Sequence, residues 1–286
     1  MSIILALLAA IFASLTAILA KIGIENVNSN LATAIRTIVV LIMAFIVVLI
    51  TGQLDSIAQI STNALWFILL SGLATGLSWL FYFKALAIGD VSKVVPIDKA
   101  SVVLTIAISI VFLREPPAPL VITGGALIAL GTFILIGKKE EKNRFTGPQI
   151  YIMYAIVGAV FAALTSILAK IGMKDVDSNT ATFLRTIVIL LFAWVIVFFQ
   201  GTHKELNKIT KKGYLFLILS GIATGLSWLC YFAAIAMGKV SVVAPIDKIS
   251  VVLTMILSFI ILKEKAAKHT IIGGIVITGG TVLLIL

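Results

Sequence analysis

The feature that most constrains this chain is that it contains itself twice. Shifting the sequence by 149 positions lays residues 164–285 on residues 15–136 without a gap, and about half of the aligned positions are identical. Ile18-Leu19-Ala20-Lys21-Ile22-Gly23 returns as Ile167 to Gly172, and Arg36-Thr37-Ile38-Val39 returns as Arg185 to Val188. Ala74-Thr75-Gly76-Leu77-Ser78-Trp79-Leu80 returns as Ala223 to Leu229, and Pro96-Ile97-Asp98-Lys99 as Pro245-Ile246-Asp247-Lys248. Whatever one half folds into, the other must fold into as well.

Each half breaks into five apolar runs, near 3–20, 31–50, 64–88, 94–113 and 120–137, then 150–169, 180–199, 213–237, 243–262 and 269–286. Runs of about 20 residues match a hydrocarbon layer of roughly 30 Å. Composition agrees: 61% of residues are hydrophobic and 12% charged, with mean hydropathy +1.20, whereas soluble domains carry about 25% charged residues. Breakers stand between the runs. Asn28-Ser29-Asn30 offers a helix N-cap, Gly52 and Gly89-Asp90 end spans, and Pro116-Pro117 separates the fourth run from the fifth. The expected fold is therefore all-α integral membrane, with ten transmembrane helices. Its domains are a first five-helix repeat at 1–137, a charged linker at 138–149 and a second repeat at 150–286.

An odd number of crossings per repeat has a geometric consequence. The second copy enters the bilayer from the opposite side, so the repeats are expected to have inverted topology about a pseudo-two-fold axis in the membrane plane. Basic residues give the orientation: Lys21, Lys93, Lys138, Lys139, Lys142, Arg144, Lys204, Lys208, Lys211, Lys212, Lys263, Lys265 and Lys268 share one side. Arg114, Lys170, Lys174 and Lys239 share the other. By the positive-inside rule the linker is cytoplasmic and both termini are extracytoplasmic. The expected location is the cytoplasmic (inner) membrane of a prokaryote. Met1–Ala20 lacks a basic leading segment and recurs in mid-chain, so it reads as a retained helix.

The formal charge of +10 does not imply nucleic acid, because most of the basic residues sit in short loops and not on an aromatic-studded polar face. Cys230 is the only cysteine, which excludes an internal disulfide and a thiolate cluster. No Gly-rich nucleotide loop, HExxH pair, CxxC pair or nucleophile elbow occurs, and His203 and His269 fall in loops. No enzyme, cofactor or metal site is expected, and no ATP-driven motor is encoded.

Charges inside the runs are the functional signal. Arg36 and Arg185 lie well within the second and seventh runs, where a lone charge costs roughly 2.5–3.5 kcal/mol on insertion scales. Their expected partners are Asp98 and Asp247, which follow Pro96 and Pro245 and adjoin Lys99 and Lys248. Proline removes a backbone donor there, so these spans are expected to begin irregularly and to turn polar backbone toward a cavity. Arg36, Asp98, Lys99, Arg185, Asp247 and Lys248 are thus the candidate substrate or coupling-ion residues. A purely structural account pairs the same charges to fix helix packing and lets the lysines reach the interface.

The third run carries Ser71, Thr75, Ser78 and Tyr82 on one helical stripe, repeated as Ser220, Thr224, Ser227 and Tyr231, with Trp79 and Trp228 beside it. Thr75, Ser78, Trp79, Tyr82, Thr224, Ser227, Trp228 and Tyr231 are the candidate cavity lining, with interhelical packing as the plain alternative. Lys84 aligns with Ala233 and breaks the symmetry. The patches Gly72 to Gly76 and Gly221 to Gly225, and the pairs Gly124 with Gly131 and Gly273 with Gly280, read as close helix contacts.

The element Pro-Ile-Asp-Lys-x-Ser-Val-Val-Leu-Thr at Pro96–Thr105 and Pro245–Thr254 is followed by Leu113-Arg114-Glu115 and Leu262-Lys263-Glu264. It resembles the EamA-type domain of the drug/metabolite transporter superfamily across both halves, and most closely its small five-helix members, here joined in tandem. The resemblance implies an exporter-like ten-helix fold with a central solute cavity. It also implies cytoplasmic termini, opposite to the basic-residue count.

These readings converge on a secondary membrane transporter. It moves a small organic metabolite or drug-like solute by alternating access through a cavity between the repeats. The alternatives are a non-transporting membrane scaffold or interaction protein, or a lipid flippase. The expected partners are a small-molecule solute and membrane lipids, without nucleic acid. A monomer is expected, because the two repeats already form the functional pair.

Overall fold

The computed structural model describes residues 1–23, 27–88, 97, 101–116, 118–136, 150–261 and 268–286. The described residues are almost wholly helical: α1 Ser2–Gly23, α2 Ser29–Ile50, α3 Thr62–Ile88, α4 Ser101–Phe112, α5 Pro119–Ile136, α6 Ile150–Gly172, α7 Ser178–Phe199, α8 Lys211–Met237, α9 Val240–Ile246, α10 Ile249–Ile261 and α11 Lys268–Ile285. Seven stretches among them are long and apolar enough to cross a bilayer, and Ser101–Phe112, Pro119–Ile134 and Ile271–Ile285 are shorter apolar helices. The protein is an integral membrane protein. The linker at 138–149 and the turn at Gly89-Asp90 lie outside the described residues.

Helix ends follow the duplicated turn chemistry. Asn28 caps α2 by accepting from Asn30 N at 2.9 Å and Leu31 N at 3.4 Å. Its counterpart Asp177 caps α7 by accepting from Asn179 N at 2.7 Å and Thr180 N at 3.3 Å. Each cap satisfies backbone donors that the first helical turn cannot. Gly52 and Gly201 both take φ 68° just past α2 and α7, a left-handed conformation that glycine adopts at little cost.

The span expected at 243–262 is broken. Pro245 has no N–H to give to the carbonyl one turn back, and the ladder slips to tighter bonds. Lys248 N donates to Pro245 O at 2.9 Å, and Ser250 N to Asp247 O at 3.0 Å. The result is α9, a turn at Asp247-Lys248, then α10. In the first half the matching segment is outside the described residues apart from Ile97.

The halves embrace through pairs of matched contacts. Ser220 Oγ donates to Thr16 O at 2.9 Å, and its counterpart Ser71 Oγ donates to Thr165 O at 2.6 Å. Gly72 faces the Arg185 backbone oxygen and Val188, as Gly221 faces the Arg36 oxygen and Val39. Along α2 and α7, Asn30 bonds Gln200 while Phe45 meets Phe183, so these two counterpart helices run antiparallel. Helices α5 and α11 do the same, with Gly124 against Gly280 and Gly131 against Gly273. Trp79 and Trp228, equivalent by duplication, meet with ring centroids 6.4 Å apart.

Inside and outside are reversed relative to a soluble domain. Small residues such as Ala6, Ala9, Ala10, Ala163 and Ala169 are buried, whereas Ile42, Leu191, Phe199 and Ile275 are exposed. Lipid tails are as apolar as leucine, so association favours close backbone approach over burial of large side chains.

Candidate functional site

Among the described residues, two cavities gather charged or polar side chains. The larger, about 710 Å³, is at one end of the bundle, where Ser2, Leu113, Glu115, Lys170, Lys174 and Lys239 converge. Its central charges are already committed. Lys170 Nζ donates to the carbonyls of Ile235, Ala236 and Gly238 at 2.7, 2.8 and 2.9 Å, capping the end of α8. Glu115 accepts from Val240 N at 2.7 Å and Ser241 N at 2.9 Å at the start of α9. Each charge meets backbone groups of the matching polarity at the α8–α9 break.

The smaller cavity, about 280 Å³, is the better candidate. It is lined by Ala13, Thr16, Thr33, Arg36, Thr37, Trp79, Thr224, Ser227 and Trp228, so it draws on both halves. Arg36 is partly buried, its Nη2 donates to Thr224 Oγ1 at 3.1 Å, and its Nε has no acceptor. That bond runs to the opposite half. The expected pairing with Asp98 falls, like Lys99, outside the described residues.

Arg185 repeats the arrangement without the cavity. Its Nη2 donates to Thr75 Oγ1 at 3.2 Å, and Thr75 and Thr165 hydroxyls are 3.3 Å apart, just as Thr16 and Thr224 are. Yet Arg185 is only 2% exposed, its Nε and Nη1 have no hydrogen-bond partner, and the Phe232 ring lies 3.7 Å from its guanidinium carbon. A hydrogen bond to a charged group contributes about 1.5–3 kcal/mol, and a desolvated cation–π contact about 2 kcal/mol. Together they are comparable with the insertion cost, so a closed site is tolerable with two guanidinium nitrogens unpaired. Tyr231, bonded to Ser166 at 2.8 Å, lies within electrostatic reach of both Arg185 and Asp247. Asp247 and Lys248 are partly buried at the α9–α10 turn.

Of the residues expected to line a cavity, Trp79, Thr224, Ser227 and Trp228 do so. Thr75 is the partner of Arg185 instead, Tyr231 is bonded to Ser166, and Ser78 and Tyr82 stand near Gly158 in the α3–α6 contact. Sequence reasoning missed Ala13, Thr16, Thr33 and Thr37. The signal was present: Thr33-Ala34-Ile35-Arg36-Thr37 recurs as Thr182-Phe183-Leu184-Arg185-Thr186, and spacings of three and four put all three polar residues on one helical face.

A duplicated membrane bundle with matched polar sites finds its relatives accordingly. The family model of the EamA-like transporter family matches residues 1–137 and 149–286. The chain belongs to the EamA-like transporter family. An uncharacterized transporter in the cobO 3' region of Sinorhizobium sp. is 45% identical over 130 residues, which make up 46% of this chain and 92% of that protein. That relative is thus about one repeat long. A solved crystal structure of a protein superposes with TM-score 0.80 over 99% of this chain and 96% of that one, at 17% identity, a likeness of fold alone. This EamA-like chain is a membrane transporter whose cavity and arginines sit between its two repeats.

Proposed function

We propose that this protein is a secondary transporter that moves a small organic metabolite or drug-like solute by alternating access, with two inverted five-helix repeats rocking about the Trp79–Trp228 axis. The observation that carries the reading is the inequality of two equivalent sites. Arg36 lines a cavity while Arg185 is sealed, as expected when one side of a pseudo-symmetric carrier is open and the other shut. The antiparallel run of α2 with α7 and of α5 with α11 supports inversion of the repeats. So does the gathering of Ser2, Leu113, Lys174 and Lys239 at one end, since a ten-span arrangement puts all four of these points on one face of the membrane. Arg185 stands level with residue 43 or so, judged from the Phe45–Phe183 contact. The two arginines are therefore about 10 Å apart along the helices at about 1.5 Å per residue.

In this mechanism a solute bound at Arg36 is passed across the axis to Arg185 as the second site opens. Asp247 and Asp98 act as coupling-ion contacts, each neutralised by its own proton or cation and not by the arginine that meets the solute. The linker faces the cytoplasm and the membrane is the inner membrane of a prokaryote, as the basic-residue count indicates.

Cysteine labelling tests this directly. In a Cys230→Ala background, Thr33→Cys and Thr182→Cys are placed singly at equivalent positions, and sealed vesicles of known orientation are treated with a membrane-impermeant maleimide. Thr33→Cys should react from one face only, and Thr182→Cys, when it reacts, only from the other. Labelling of both from the same face overturns the inverted, alternating arrangement.

A further inference from the structure

The chemistry of the open cavity narrows the solute class, and this step rests on the transport reading only for delivery, not for binding. We infer that the Arg36 cavity takes an organic monoanion, a single carboxylate carried on a flat apolar body. The first ground is a donor inventory of the lining. Thr33 Oγ1 gives its proton to Ser29 O, Thr37 to Thr33 O, Thr224 to Ser220 O and Ser227 to Ala9 O, at 2.7 to 2.9 Å. Those hydroxyls turn lone pairs, not protons, toward the space. Arg36 is left as the principal donor, with one nitrogen on Thr224 and an Nε that has no acceptor.

A buried charged donor without an acceptor is costly, and a carboxylate accepts from a guanidinium in a two-bond fork. Charge balance sets the number of negative charges. The lining residues carry one cation and, among the described residues, no carboxylate. A monocarboxylate brings the site to neutrality. A phosphate monoester, at about −1.5 to −2, leaves an excess negative charge in a low-dielectric space facing hydroxyl lone pairs, an uncompensated buried charge that disfavours binding. A zwitterion brings an ammonium against Arg36.

The body of the solute follows from the walls. Trp79 and Trp228 present rings 6.4 Å apart, tilted by 42°, with Ala13 beside them. Aromatic faces of that kind favour a flat apolar group at an offset or tilted contact. The cavity volume of about 280 Å³ is roughly that of nine waters at about 30 Å³ each, enough for a one- or two-ring acid. The larger cavity makes no comparable case, because Lys170 and Glu115 are already saturated by backbone groups.

The test is calorimetric titration of the full chain in lipid nanodiscs. Benzoate and indole-3-acetate are compared with benzamide, phenyl phosphate and phenylalanine. The carboxylates should bind saturably and at least tenfold more tightly than the other three. Arg36→Gln should weaken them at least tenfold, and Arg36→Lys, which keeps the charge and loses the fork, by less. Equal binding of benzamide, preference for phenyl phosphate or phenylalanine, or unchanged affinity in Arg36→Gln overturns the assignment. Counterflow of labelled benzoate in proteoliposomes separates the two claims. Binding without counterflow defeats transport and leaves the solute class standing, while counterflow of a neutral or cationic solute without carboxylate binding does the reverse.

Discussion

Arg36 and Arg185 occupy one position in two near-copies of a sequence, and each donates to the threonine at the matching place in the opposite repeat. Their surroundings nevertheless differ. Arg36 borders open space with Trp79, Trp228 and four threonines, whereas Arg185 is enclosed under Phe232 beside the Tyr231–Ser166 bond. Most of the residues around the two sites are identical or closely similar, although Ser166, which bonds Tyr231, has Ala17 as its counterpart. On the proposed alternating-access reading, the mirrored conformation would re-form the two guanidinium–threonine bonds with partners swapped, at a free energy within the few kcal/mol across which a bound solute can shift populations.

The sharpest way to break that comparison is to remove the sealed arginine. Arg185→Gln should reduce proteoliposome flux of benzoate at least tenfold while changing its calorimetric dissociation constant less than threefold, because binding occurs at Arg36 and Arg185 acts after the sides exchange. Equal loss of binding and flux would mean that the two arginines form one site. Phe232→Ala comes next. Removing the ring 3.7 Å from the Arg185 guanidinium should raise the maleimide labelling rate at Thr182→Cys several-fold, in a Cys230→Ala background, and leave the rate at Thr33→Cys nearly unchanged. A truncated buried aromatic costs about 3–5 kcal/mol, so thermal unfolding in detergent must show that the variant is still folded when labelled.

Much of this architecture was legible in residues alone, and the reason is periodicity. The 149-residue repeat, the apolar runs and the N-caps at Asn28 and Asp177 are local or one-dimensional signals. The break after Pro245 was likewise legible, since a missing N–H has a local consequence. The partners of the arginines were not. Helix packing between the repeats brings Thr224 and Thr75 to the guanidinium groups, and no sequence spacing reports such a contact; the carboxylate expected beside Arg36, Asp98, lies outside the described residues. Of the polar stripe on α3 and α8, Thr224 and Ser227 of the second copy line the open cavity. Duplication makes the two copies look alike, and only a few substitutions near the sites, such as Ser166 for Ala17, distinguish them in the sequence.

A third prediction concerns the contact that lies farthest from the asymmetry. A Cβ added to Gly131 would sit 2.7 Å from Ile277 N and 2.8 Å from Gly273 O, and one added to Gly280 would sit 2.7 Å from Gly124 O. Backbone atoms cannot step aside as side-chain ends do. Gly131→Val should therefore separate α5 from α11 and lower stability by about 1–3 kcal/mol, read as a fall in Tm in detergent. Because α5 and α11 are matched helices, Gly280→Val should cost about the same, and a large disparity would show that the pseudo-symmetry fails at this interface.

The smallest expected effect belongs to Lys84, a charge inside the third apolar run that the duplication does not share. Lys84 is exposed and its Nζ lies 4.4 Å from the Tyr154 ring centroid, while its counterpart is Ala233. An exposed cation–π contact of this kind is worth about 0.5–1 kcal/mol, and it joins α3 to α6 on one side of the axis alone. If the contact merely trims the surface, Lys84→Ala changes benzoate flux less than twofold and Tm slightly. If it biases the molecule toward the conformation with Arg36 open, the substitution instead raises labelling at Thr182→Cys and lowers it at Thr33→Cys by similar factors. The structure favours the first outcome, because Lys84 is exposed, its ammonium is seated on Tyr154, and it is not among the residues lining the Arg36 cavity.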